Sequence, residues 1–136
     1  DTGIGYIPSI CDSLLDFYPY YKTILLKRFY AMKSLYEGDT ILRDQYIHSI
    51  IEDITPFIIA KQGMIDTLCK NNDLSFIAYN TLSFAFGQYY YYRSIIEDKT
   101  TILNEMKLLK QKGYNPEYIE WIEAICEEDF LIFQLF

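Results

Sequence analysis

His48 is the only histidine in the chain, and Arg43 and Asp44 stand five and four residues before it in the run Arg43-Asp44-Gln45-Tyr46-Ile47-His48. A guanidinium, a carboxylate and an imidazole this close form the one spacing that resembles a catalytic motif. The remaining reactive side chains are scattered. Cys11, Cys69 and Cys126 form no Cys-x-x-Cys pair, so with one histidine they do not make a zinc site. They read as free, mostly buried thiols of a reducing compartment. Glu117, Glu120, Glu123 and Glu127 would suit a metal or a basic partner. Carboxylate metal sites in helical bundles need facing carboxylates, commonly with Glu-x-x-His, and no Glu-x-x-His occurs. A solvated helix face is the preferred reading. No glycine-rich phosphate loop, nucleophile elbow or cofactor motif is present. No metal and no cofactor is expected.

The run from Arg43 to His48 resembles the signature of HEPN ribonucleases: arginine, a polar residue, a three-residue spacer and histidine. The resemblance covers six of 136 residues. That family is small and all-helical, often dimeric, and acts as toxins or defence components. The resemblance implies metal-independent cleavage of RNA. Arg43 would stabilise phosphate charge, His48 would act as acid or base, and Asp44 would orient them. The same three residues also read as polar positions between the core isoleucines of an amphipathic helix. That second reading is preferred, so no catalytic residue is assigned and the nuclease is the alternative.

Helix signals dominate the elements that would hold these residues. Ser9 with Asp12 resembles a capping box at a first helix start. Pro19 breaks or restarts that helix, and Tyr20–Glu37 continues it. Its inner face is expected at Ile24, Leu25, Phe29, Met32 and Leu35 or Tyr36, and Gly38 supplies a left-handed stop. Asp39 or Thr40 caps a second helix with an apolar face of Ile41, Leu42, Tyr46, Ile47, Ile50, Ile51 and Ile54. Pro56 should kink it near Ile54, Gly63 loosens it further, and Asn71-Asn72 stops it. Asp73 caps a third helix, with no proline before Pro116 and a stop at Gly113. Leu74–Lys112 would be about 58 Å long as one helix, with a bend expected at Gly87. A fourth helix starts at Asn115-Pro116-Glu117, where N-cap, first-position proline and an acid at the positive dipole end coincide. Its inner face would be Ile119, Ile122, Cys126, Phe130 and Phe133. No strand-period segment or repeat competes. The expected fold is all-α: a single domain over 1–136, an antiparallel four-helix bundle with proline-kinked helices and one long central helix at about 74–112.

That central helix contains nineteen uncharged residues, Leu74 to Tyr92, closing on Tyr89, Tyr90, Tyr91 and Tyr92. A membrane span needs about 20 predominantly apolar residues. Asn80, Thr81, Ser83, Gly87 and Gln88 interrupt this stretch, and tyrosine belongs at the interface rather than the centre of a span. A buried helix is the expectation. Four successive tyrosines cover about 300° of a helix, so they cannot all face one core. At least one or two should reach the surface or another subunit. Tyr89 to Tyr92 are therefore the candidate interface, with Trp121 as a second anchor.

Composition bounds the rest. At 51% apolar and 23% charged the chain is globular. Its length suits one domain with a core. A net charge of −7, with 12 basic residues and no basic run, argues against DNA, and RNA enters only under the nuclease alternative. Twenty isoleucines and 14 tyrosines against five alanines and three arginines indicate an A/T-rich genome. The sequence opens at Asp1 and shows no signal peptide. The expected function is a non-enzymatic protein-interaction module that self-associates or docks on a larger assembly. A phage or viral structural component, or a host-factor inhibitor, in the cytoplasm or a virion, fits this reading.

Overall fold

A computed structural model describes residues 18–70 and 86–127, with side chains from Tyr21 onward. The described residues contain helices and turns and no strand. The elements are α1 (Tyr18–Tyr36), α2 (Thr40–Ala60), α3 (Gln62–Lys70), α4 (Gln88–Ile96), α5 (Lys99–Lys112) and α6 (Pro116–Cys126). The all-helical expectation holds. Six described helices replace the expected four, for reasons that lie at particular residues. The Ser9–Asp12 start, the stop at Asn71-Asn72, the cap at Asp73, the 74–85 part of the central helix, Phe130 and Phe133 lie outside the described residues.

The turn between α1 and α2 is only three residues long. Gly38 takes φ +80°, the left-handed conformation that costs glycine least. There Gly38 N–H bonds Leu35 C=O at 3.1 Å and Asp39 N–H bonds Ser34 C=O at 2.9 Å, a Schellman stop. Asp39 then accepts Leu42 N–H at 2.9 Å and so caps α2 as well. With so short a link, α1 and α2 run antiparallel. The stacked rings of Tyr30 and Tyr46, 5.6 Å apart, and the 2.5 Å ion pair of Lys27 with Asp53 fix their register.

Pro56 lies inside α2, which continues through it to Ala60. The helix breaks instead at Lys61, and Gln62 begins α3. Proline removes the N–H that the Glu52 carbonyl would have accepted. Glu52 and Pro56 are both exposed, so water can serve that carbonyl and the helix persists. Pro19 lies within α1, beside its first described residue.

The long helix expected to Lys112 is divided at Glu97–Asp98, where no proline or glycine occurs. Glu97 and Asp98 have ψ 161° and 132°, extended rather than helical. A straight rod could not wrap one small core with both its halves. The break lets α4 bury Tyr90, Tyr91 and Tyr92 and α5 bury Ile102 and Met106. Phe86 and Gly87 form a wider π-type turn at the entrance to α4, where a bend was expected at Gly87. A second Schellman stop ends α5 at Gly113, φ +104°, with Tyr114 N–H on Leu109 C=O and Gly113 N–H on Lys110 C=O, both 3.1 Å. Asn115 caps α6 by accepting Glu117 N–H at 2.9 Å, as the sequence predicts.

The core is built from Ile47, Ile50, Ile54, Phe57 and Ile58 of α2, the α4 tyrosines, and Tyr118, Ile119 and Ile122 of α6. Helix α1 packs on α2, α2 on α3 and α4, and α4 on α5 and α6. No described helix is long and apolar enough to cross a membrane.

Candidate functional site

The geometry separates the members of the Arg43–His48 run. Five residues along a helix turn the side-chain direction by about 140°. Arg43 is mostly covered and donates from Nε to Asp44 at 2.6 Å, while His48 is exposed. His48 instead lies within electrostatic reach of Glu97, whose carboxyl is held below its ordinary range by hydrogen bonds from Arg93 first and by charge, His48 included.

Arg93 joins the two sides of the α4–α5 break. Its Nε and one terminal nitrogen donate to Glu97 at 2.8 and 2.9 Å. Its terminal nitrogens also reach both oxygens of Glu105, one at 2.8 Å. The rings of Tyr89 and Tyr90 lie 5.1 and 5.4 Å from the guanidinium. These bonds hold the guanidinium charged, Glu97 contributing most. Arg28, 8% exposed, lies beside Tyr92 in the core and opposes the upward push that burial gives the Tyr92 hydroxyl. All three arginines therefore already have protein partners.

A second polar cluster ties α3 to the α5–α6 turn. Asp66 accepts from the Tyr114 hydroxyl, from Lys112 Nζ at 3.0 and 3.1 Å, and from Gln62 Nε2 at 2.9 Å. Burial alone would raise its pKa, but these donors together hold it below the ordinary value. Asn115 N–H adds a 2.7 Å bond to Cys69 C=O at the end of α3. Burial pushes the Cys69 thiol up to about 12 and the Cys126 thiol up to about 11, so both stay protonated at neutral pH. Cys11 lies outside the described residues.

The tyrosine run is placed largely inside. Tyr90, Tyr91 and Tyr92 are buried, and Tyr89 is half-buried against the core. Trp121 is half-buried and stacks on Tyr118 at 5.6 Å. Helix α4 is covered on several sides, by α2, α5 and α6, and so accommodates more of the run than one neighbour could. Glu117 and Glu120 are exposed on α6 and Glu127 at its C-cap; Glu123 and Glu127 pair loosely with Lys110 and Lys99 at 3.5 and 3.7 Å. No group of three potential metal ligands gathers among the described residues. A cavity of about 60 Å³ beside Ser94, Ile102, Leu103 and Cys126 is far below the size of a typical small-molecule pocket, about 300 Å³ or more.

The surface that stands out is on α1. Leu25, Phe29 and Tyr36 are 44, 60 and 74% exposed, and half-buried Met32 completes the i, i+4, i+7, i+11 stripe. Leu26, 55% exposed, lies beside it. The sequence pattern assigns Ile24, Leu25, Phe29, Met32 and Leu35 or Tyr36 to the inner face. Ile24 is buried and Met32 and Leu35 pack against the core, but Leu25, Phe29 and Tyr36 are exposed, and Arg28, Ala31 and Ser34 complete the buried side in their place. Lys27's pairing with Asp53 and the Tyr30–Tyr46 stack turn α1 this way. Charge could have signalled its unusual role, because α1 holds four basic residues and no acid.

No protein-family model, characterised protein or solved structure matches this chain at a significant level.

Proposed function

We propose that this chain is a non-enzymatic protein-interaction module that self-associates or docks on a larger assembly. The exposed Leu25, Leu26, Phe29 and Tyr36 carry this reading. Apolar side chains grouped on one face of a surface helix are characteristic of contact surfaces, whereas scattered ones are not. The polar chemistry supports it from the other side. Arg28, Arg43 and Arg93, Asp66 and Tyr114 are engaged in contacts within the protein. A phage or viral structural component, or an inhibitor of a host factor, is the setting we favour, supported by the A/T-rich residue bias.

Gel filtration with light scattering over a concentration series tests the reading. The expected outcome is a mass that climbs above the 16.2 kDa of one chain as concentration rises. A strict monomer that also captures no partner from its native host would remove it.

A further inference from the structure

We propose that α1 forms an antiparallel, two-fold contact with α1 of a second copy through the Leu25–Phe29–Met32–Tyr36 stripe. This rests on the self-associating form of the function proposed above and names its surface. The stripe is the same read from either end, apolar at positions 25, 29, 32 and 36. Pairing two such helices antiparallel about the midpoint between Phe29 and Met32 sets Leu25 opposite the partner's Tyr36. Phe29 then meets the partner's Met32. A two-fold contact is made twice over, so each favourable pair counts double.

Charge selects this arrangement over the parallel one. Helix α1 carries Lys22, Lys27, Arg28 and Lys33 and no acid, and in a parallel copy in register Lys22 and the partner's Glu37 would stand at opposite ends of the contact, about 22 Å apart. The acid nearest the stripe is Glu37, just beyond the far end of α1. Lys22 and Glu37 are both exposed, and neither enters an ion pair among the described residues. They stand on the same flank of the stripe, about 60° apart around the helix. In an antiparallel pair, like flanks adjoin, so Lys22 comes beside the partner's Glu37 at both ends. The stem of Lys33 then lies over the partner's Leu26.

The contact is short. From Lys22 to Glu37 is about 22 Å of helix, too little to cover the roughly 800 Å² per partner of a standard interface. The dimer is accordingly of the weak, concentration-dependent class.

Sedimentation equilibrium at several concentrations, with the wild-type chain and exposed-site variants, tests the proposal. The wild type should move from 16.2 kDa towards twice that mass. Phe29→Glu should weaken association at least tenfold with its circular dichroism unchanged, and Leu25→Glu should do the same. Lys22→Glu and Glu37→Lys should each weaken it, and the two together should restore it. Association that survives Phe29→Glu and Leu25→Glu would overturn this surface and leave self-association standing. Failure of the combined charge exchange to restore the dimer would overturn the antiparallel register. A wild type that stays monomeric throughout would overturn both the dimer and the self-associating reading.

Discussion

Asp66 shows how much one carboxylate can organise. Three side chains from two separate parts of the chain converge on it, Gln62 from its own helix and Lys112 and Tyr114 from the α5–α6 side. Its side chain is one quarter exposed, so these bonds are only partly screened. Asp66→Asn keeps the shape and removes the charge. It should destabilise the fold by about 1–2 kcal/mol at neutral pH, towards the low side of the roughly 1.5–3 kcal/mol of a hydrogen bond to a charged group, because the amide oxygen still accepts. The sign with pH follows from the depressed folded-state pKa. The contribution is complete above the unfolded-state value of about 3.9 and is lost as pH falls through the lower folded-state value. Urea melts of wild type and variant should therefore differ most above about pH 4 and converge as the solution is acidified. A difference independent of pH would mean that shape, and not charge, holds the cluster.

At the scale of elements, the two Schellman stops and the caps at Asp39 and Asn115 were readable because each is settled within five or six residues. Gly38, Gly113 and Pro116 carry their conformational preferences wherever they stand. The break at Glu97–Asp98 was not readable, because it depends on Arg93 reaching Glu105, twelve residues away, and on which residues the rest of the fold can bury. The face of α1 is only partly legible for a similar reason: Ile24, Met32 and Leu35 turn to the core, and Leu25, Phe29 and Tyr36 do not. An apolar stripe says that burial is favourable and does not say which of two adjoining stripes a neighbour will cover. Likewise, the Arg43–His48 spacing was legible while the pairing of Arg43 with Asp44 was not. Pro56 offers a direct test at this scale. In Pro56→Ala the new N–H can serve the Glu52 carbonyl, and alanine is the better helix former. Stability should rise by about 1–2 kcal/mol after allowing for the greater freedom of the unfolded chain, seen as a higher melting temperature. A fall would show that α2 depends on the proline ring.

Across the whole molecule, charge is unevenly divided. The net −7 combines +4 on α1 with −11 on the remainder. Lys27 lies against Asp53 and Arg28 is buried, so much of that positive charge serves the chain itself. A nucleic-acid surface would need it outward and clustered. Purified protein incubated with RNA should leave it intact, and a His48→Ala variant should behave the same. Cleavage by the wild type that disappears in the variant would instead install the nuclease as the function, with a catalytic geometry unlike the one described.

The stacking of Trp121 on Tyr118 has a practical consequence. Trp121 is the only indole among 14 tyrosines, several of them packed in the same core. Tyrosine excitation will drain into that single acceptor, so the chain's fluorescence will be dominated by one residue. The emission colour and intensity then report on α6 alone, giving an optical readout of whether this last described helix is seated on the rest.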